Sequence, residues 1–316
     1  MIYLSNSNLI NLKFGFEHLK LEEIKSFPKG TIYSNPIYLY KLKNRKKEVV
    51  LKFYKNKKIM KKEIFCNTYL KSKGLSVPII ISYSEFPRPY VIMDKIQGKK
   101  LSNLDIPARV KDLARVHINS LNDISLNQKI PKFTKEDRIK SLKRSIKILK
   151  SNSLIVEDYF SKFDSLITIL KKINHNGWEQ CFCFNDFFIN NSMKSKGRIY
   201  YFDFEKAVAS PPFVDVGCIV INYPKEYNRI KSLYTKNITL NFKSKGINKV
   251  KDYLSNLNIF MDLGVCEKVI EDAAFLSDDS IQKTKDNNFC QKLAKRRIEN
   301  VSFILDNLKN NLIGKK

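Results

Sequence analysis

Residues 181–193 read CFCFNDFFINNSM, and residues 197–207 read GRIYYFDFEKA. Each is a run of Phe, Tyr, Cys and Ile around one carboxylate, Asp186 in the first and Asp203 in the second. Such aromatic and β-branched runs read as strands. A carboxylate among aromatics is costly to bury unless it is paired. An apolar strand that fixes the backbone while its one polar residue projects into a cleft resolves that conflict. Asn191 follows Asp186 by five residues. If the two strands were neighbours, Asp186, Asn191 and Asp203 would meet at one end of a hairpin. Asp186 and Asn191 also have a plainer reading as turn residues.

Outward from these strands, the chain divides into a strand-rich start and a helical remainder. GTIYSNPIYLYKLKN (30–44) and KEVVLKFYKN (47–56) are strand-like, with turn residues at Asn35-Pro36 and Asn44-Arg45. IMKKEIFCNTYLKSK (59–73) places Ile59, Glu63, Cys66, Asn67 and Leu70 at helical spacing, and Gly74 ends the helix. VPIIISYSEFPRPYVIMDKI (77–96) reads as two more strands broken by Pro87 and Pro89. From about residue 103 helical periodicity takes over. IPARVKDLARVHINSLND (106–123) carries Val110, Leu113, Ala114, His117 and Leu121 on one stripe. KEDRIKSLKRSIKILK (135–150) and VEDYFSKFDSLITILKKI (156–173) are amphipathic, and the last third is mostly helical. The expected organisation is α+β: a small antiparallel β-sheet lobe with one helix over residues 1–95, a short connector near 94–98, and a larger, mostly helical lobe over 96–316.

Composition narrows the function classes. The 316 residues carry a formal charge of +27. A basic balance of this size suits a polyanionic partner, nucleic acid or an anionic membrane surface. Two features favour a compositional origin instead: Lys far outnumbers Arg, the better phosphate and base reader, and the Lys are spread along the whole chain. Lys55 to Lys62 and Lys292 to Arg297 are the densest patches. None of the six Cys has the two-residue spacing of zinc or redox motifs, so all six read as reduced thiols of a cytoplasmic protein. His18, His117 and His175 are too scattered for a histidine metal site, and His117 reads as a packed residue. No stretch resembles a signal peptide or a membrane span.

Phosphoryl transfer from ATP asks a protein to position groups and neutralise charge. It needs a Lys on the phosphates, a Glu to orient that Lys, a carboxylate to take the acceptor's proton, and oxygen ligands for Mg²⁺. Lys52 in VVLKFY, Glu63 on the next helix, Asp186, Asn191 and Asp203 supply these in a workable order. The ordered landmarks over roughly residues 28–220 resemble the aminoglycoside phosphotransferase and choline kinase superfamily, with its protein-kinase-like fold. TIYSNPIYLYKL resembles that family's nucleotide-covering loop, DLARVHINSL its helix ending in Leu-Ala-X-Leu-His, YYFDFEKA its metal-binding strand, and PPFVDVGCIV its later Pro and Asp segment. The chain departs from the pattern at Phe184, where the family has His, in a nucleotide loop with Gly30 alone, and at Asp94, where Glu is commoner.

The resemblance implies an ATP- and Mg²⁺-dependent kinase acting on a hydroxyl of an amino alcohol, aminoglycoside, sugar or related metabolite. It assigns Asp186 as general base, Asn191 and Asp203 to Mg²⁺, and Lys52 with Glu63 to phosphate. Ser34 and Asn35 fall to the nucleotide loop, Asp94 and Ile96 to the adenine contacts of the hinge, and Asp215 to a structural role. Glu205 falls beside the metal. The alternatives are a nucleotide-binding module without catalysis and a kinase-like protein at an anionic surface. The charge of +27 favours a neutral or anionic acceptor. The acidic stretch from Asp262 to Asp279 reads either as a wall for a cationic acceptor or as a solvated helix.

Overall fold

The computed structural model describes residues 21–26, 37–42, 47–86, 88–152, 158–174, 178, 180–245, 253–254, 256–278 and 287–313. Its strands are β1 (Leu21–Ser26), β2 (Ile37–Leu42), β3 (Lys47–Phe53), β4 (Ile80–Ser84), β5 (Tyr90–Asp94), β6 (Cys181–Cys183), β7 (Ser192–Ser195), β8 (Arg198–Tyr201) and β9 (Val208–Ser210). The helices are α1 (Lys57–Ser72), α2 (Ile106–Asn119), α3 (Ile124–Lys129), α4 (Lys135–Ser151), α5 (Asp158–Lys172), α6 (Phe213–Asn222), α7 (Tyr227–Ser244), α8 (Leu257–Ser277), α9 (Asn287–Glu299) and α10 (Ser302–Ile313). They form two compact units. One runs to Lys100 and takes in Ser192–Glu205; the other comprises Leu101–Asn191 and Lys206 onward.

The first unit is built on an antiparallel sheet in the order β1-β2-β3-β5-β4. Strand alternation sends Val49, Leu51 and Phe53 into one core with Tyr40, Tyr90 and Ile92. The opposite face of β3 and β5 packs Val50, Val91 and Met93 against Met60, Ile59 and Ile64 of α1. Lys52, two residues beyond Val50, therefore shares the face that α1 covers. Asn56 starts α1, its side chain accepting from the Ile59 N–H at 3.0 Å, which satisfies one of the orphan donors of the first turn.

The β7–β8 hairpin belongs to this unit because its backbone is tied there. Lys194 exchanges both backbone hydrogen bonds with Lys99 at 2.9 Å, and the Tyr201 N–H donates to the Ser76 carbonyl at 3.0 Å. Its two-residue loop, Lys196 and Gly197, has φ +47° and +76°. Positive φ at both positions is the turn geometry that matches strand twist.

This hairpin corrects one expectation. The strand before Asp186 and the strand before Asp203 are not neighbours. β6 pairs with β9, Cys181 opposite Ser210, while β8 pairs with β7. The local turn at Lys196-Gly197 takes β8 away, and Val208–Ser210 supplies the partner β6 needs.

The second unit is helical around that short β6–β9 ladder. The stripe expected on α2 is buried at Val110, Leu113, Ala114 and His117. All six Cys are buried and unpaired by disulfides. Helix α6 packs backbone to backbone on α8. A Cβ on Gly264 would lie 2.4 Å from the Phe213 carbonyl carbon, and one on Gly217 would lie 2.7 Å from the Lys268 Cβ. Only glycine allows the two backbones so near. Among the described residues no helix is long and apolar enough to cross a membrane.

Candidate active site

In the first unit, Lys52 is only 5% exposed and donates to three carboxylates: Glu63 at 2.8 Å, Asp203 at 2.9 Å and Glu205 at 2.7 Å. Lys52 and its partners come from three features, with Asp203 and Glu205 on the same segment after β8. β3 fixes Lys52, α1 fixes Glu63, and the segment after β8 delivers Asp203 with φ +68°, a left-handed backbone uncommon for a non-glycine residue. Burial alone would lower the Lys52 pKa; Glu63 first, then Asp203, outweigh it and hold the ammonium well above its usual range. Burial pushes the Glu63 carboxyl up, and Lys52 offsets part of that rise. The ligand oxygens of Glu63, Asp203 and Glu205 lie within 4.8 Å of one another. The Lys62 ammonium acts on Glu205 and Glu63 as well. An all-oxygen set of three carboxylates suits a hard divalent cation such as Mg²⁺.

In the second unit, Asp186 sits on the loop after β6. Asn191 donates from Nδ2 to the Asp186 carbonyl at 2.9 Å and to its Oδ2 at 3.1 Å. Lys206 Nζ donates to Asp186 Oδ1 at 3.1 Å. Each carboxylate oxygen thus keeps a further lone pair for a proton. The loop itself is gripped on both backbone edges. Asp215, fully buried on α6, accepts from the N–H of Phe184 and of Asn185, both at 2.7 Å. Lys268 on α8 donates to the Asn185 carbonyl at 2.8 Å, and Arg109 on α2 donates to the Phe187 carbonyl at 2.7 Å. Asn185 takes φ +57°, a strain these partners offset.

Behind Asp215 stands His117, with Nε2 3.3 Å from Asp215 Oδ2 and Nδ1 2.6 Å from the Tyr234 hydroxyl. Burial lowers the His117 pKa, so the ring is neutral. The charged partner takes the ring N–H, which puts the proton on Nε2 and leaves Nδ1 to accept from Tyr234. His117 is the packed residue its stripe suggested. Phe184, in the place of the family's His, lies in an aromatic stack, 5.0 Å from Phe182 and 4.7 Å from Phe187 between ring centroids. It supports the loop by packing rather than by hydrogen bonding.

The remaining candidates fare unevenly. Ser34 and Asn35 lie outside the described residues. Asp94 ends β5 with its N–H donated to the Ile79 carbonyl at 2.9 Å, so that amide has no hydrogen to offer a ligand. Ile96 lines an open cavity of about 950 Å³ between hinge residues 95–99 and the turn at 194–197. Glu205, expected beside the metal, contacts Lys52 directly and lies in the carboxylate cluster with Glu63 and Asp203. Lys206, Arg109 and Lys268 were not anticipated. Lys206 follows Asp203-Phe204-Glu205 directly and carried a local signal. Arg109 and Lys268 reach the loop from 78 and 83 residues away, and no local pattern marks them.

The acidic stretch on α8 is not a wall for a cation. Asp262 binds Lys231 at 2.6 Å, Glu267 takes Arg138 Nε at 2.9 Å, Glu271 accepts from Ser141 at 2.7 Å, and Asp272 pairs with Arg297. Asp279 lies outside the described residues.

Comparison with known proteins agrees with the geometry. The model of the phosphotransferase enzyme family matches residues 23–229, and the chain belongs to that family. A search of curated proteins finds no match. Among solved structures, choline kinase from Cryptosporidium parvum Iowa II is similar with a TM-score of 0.63 at 16% identity, over 98% of this chain and 95% of that one. A thermostable mutant of aminoglycoside phosphotransferase APH(4)-Ia, in a ternary complex with AMP-PNP and hygromycin B, has a TM-score of 0.60 at 14% identity, covering 94% and 98%. Amicoumacin kinase hAmiN, in complex with AMP-PNP, Ca²⁺ and its ligand, has a TM-score of 0.60 at 15% identity, covering 94% of each chain. The fold is that of these kinases, with a small antiparallel sheet unit and a mostly helical one. The protein is a phosphotransferase by family.

Proposed function

We propose that the chain transfers the γ-phosphoryl group of ATP to a hydroxyl of a small molecule, with Mg²⁺ as cofactor. The observation that carries this reading is Lys52, buried and protonated on a strand, in contact with Glu63, Asp203 and Glu205. A structural lysine needs one partner; one that sits among three carboxylates is matched to an additional cation and an anionic ligand. Lys52, oriented by Glu63, contacts nucleotide phosphate. Asp203 and Glu205 are the magnesium ligands, and Asn191, whose Nδ2 is committed to Asp186, keeps its Oδ1 as a further oxygen donor. When bound, the ion neutralises phosphate charge. The acceptor oxygen forms a bond to the γ-phosphorus as the bond to the bridging oxygen of ADP breaks. The hydroxyl proton passes to Asp186. A carboxylate serves because proton transfer is late in a loose transition state. Asn191 and Lys206 hold that carboxylate in one orientation throughout.

Asp186→Asn tests the base. The variant keeps the shape and the Asn191 contact, and turnover is expected to fall by about 10²–10⁴-fold while Mg²⁺–ATP still raises the melting temperature. Undiminished turnover would remove Asp186 from the mechanism. A nucleotide-binding module without catalysis would bind Mg²⁺–ATP and turn over no acceptor.

A further inference from the structure

Helix α4 turns a row of cations outward. Its buried side is Arg138, Leu142, Ser145, Ile146 and Leu149. Arg138 Nε donates to Glu267 at 2.9 Å and the Ser141 hydroxyl to Glu271 at 2.7 Å, and these bonds fix the rotation of α4 against α8. Lys140, Lys143, Arg144 and Lys147 then stand on the exposed side, within about 10 Å along the axis. Among the described residues none of these four side chains has a hydrogen bond or an ion pair. From Arg138 to Ser151 the helix holds no Asp or Glu. The acids around it have other places: Asp137 binds Thr134, Glu267 holds Arg138, Glu271 accepts from Ser141 and lies 4.0 Å from Lys268, and Asp272 pairs with Arg297. Glu136 in the first turn and Asp164 on α5 are exposed and pair with none of the four. Like charges one turn apart, Lys140 with Arg144 and Lys143 with Lys147, destabilise a helix that meets only water. A second feature accompanies the row. α4 and α8 lie side by side from the Ser141–Glu271 contact to the Asn152–Ser277 contact. Phe275 falls between those contacts, one turn after Glu271, and is 44% exposed.

From this placement we propose that the α4 face docks on an anionic lipid surface, with Lys140, Lys143, Arg144 and Lys147 over the headgroups and Phe275 entering the interface. The proposal is independent of the reading of the active site. A flat surface meets all four cations at once, because they share one face. Neighbours in the row are about one turn apart, inside the Debye length of about 8 Å at physiological salt, so their fields add. A cluster of four or more Lys and Arg on one helix is the pattern anionic lipids recognise. Three of the four are Lys, a point charge suited to a diffuse field, whereas nucleic-acid reading favours the planar Arg fork. An exposed Phe beside the row also has its place in a lipid interface. The rest of the chain's +27 is spread over the whole length and does not share one helix face.

Co-sedimentation of the full chain with phosphatidylcholine vesicles, with and without about 30% phosphatidylserine in about 0.15 M salt, tests this. Binding is expected only with phosphatidylserine. Each cation near such a surface strengthens binding about fivefold. Lys140→Gln, Lys143→Gln, Arg144→Gln and Lys147→Gln combined should therefore weaken partitioning by at least about a hundredfold. A control takes the same charge from Lys58, Lys111, Lys236 and Lys243, exposed on α1, α2 and α7. Replacing those four by Gln should weaken partitioning by less than about fivefold. Phe275→Ser should weaken it by about threefold or more. The α4 variant is expected to melt no lower than the parent, since it loses like-charge pairs. If it melts lower, Lys143→Gln with Lys147→Gln takes its place, with an expected loss of about 25-fold. An equal fall in the α4 variant and the control would overturn the proposal and assign binding to the charge of the whole chain. Failure of the parent to bind phosphatidylserine vesicles would overturn it too. So would an α4 variant that loses a short single-stranded RNA yet keeps the vesicles, which would make this face a nucleic-acid site.

Discussion

Replacing Lys52 by Met should turn the first unit into a pH-sensitive one. The substitution keeps a long side chain and removes the buried cation that contacts Glu63, Asp203 and Glu205. Removing one partner from a buried ion pair costs about 3–5 kcal/mol. The remaining carboxylates have oxygens within 4.8 Å, where two unit charges at an effective dielectric constant of 20 repel by about 3.5 kcal/mol. Glu63, whose carboxyl burial already pushes up, is the group that then takes a proton. With its folded pKa raised above the unfolded value, the penalty is absent at low pH and grows as pH rises through the folded pKa. One proton taken up over two pH units recovers at most about 2.7 kcal/mol. Urea denaturation of Lys52→Met and the parent, at pH 7.5 and pH 5.5, measures the difference. The expected loss at pH 7.5 is about 3–5 kcal/mol, reduced by roughly half at pH 5.5, and millimolar Mg²⁺ should restore part of it at the higher pH. An equal loss at both pH values, unchanged by Mg²⁺, would refute the carboxylate-cluster argument.

Other outcomes follow from the same structure. Asp203→Ala should abolish Mg²⁺-dependent stabilisation by ATP; isothermal titration with and without Mg²⁺ checks it. His117, with its pKa lowered by burial, contributes stability that is present above its unfolded pKa of about 6.5 and lost as pH falls below it toward the folded value. A thermal-melt series from pH 7.5 to 5.5 should slope downward for the parent and less steeply for His117→Gln. Gly264→Ala meets the Phe213 backbone at 2.4 Å and should cost about 3 kcal/mol or more. Gly197→Ala, at φ +76° with open space around it, should cost about 1–2 kcal/mol from backbone strain alone. Chemical denaturation of the two alanine variants separates packing from strain.

What was legible in the sequence is what local pattern encodes. Lys52 sits at strand period two from Val50, and Glu63 falls within a helical repeat, so their pairing was readable from two short windows. Asp186 and Asn191 lie five apart on one loop, and their contact follows from that spacing. The partnering of β6 with β9 was not readable, because it depends on a turn at Lys196-Gly197 capturing β8 first. The α8 acids looked available in sequence; their cations arrive from α4, α7 and α9, and Arg138 reaches Glu267 across 129 residues. The clamps Arg109 and Lys268 are likewise tertiary: the glycine-mediated approach of α6 to α8 puts Lys268 over the loop, and no window of sequence around either residue contains the other.

The first unit is interrupted by the second, and this affects its birth on the ribosome. When Lys100 emerges, the sheet and α1 are synthesised, yet the hairpin that bonds to Lys99 and Ser76 is still unmade. Roughly a hundred residues must follow before Ser192–Glu205 appear, about 5–20 s at ordinary elongation speeds. For that interval Lys52 lacks Asp203 and Glu205, and the backbone groups of Lys99 and Ser76 wait for the hairpin, a window in which a holdase chaperone would find the unit open.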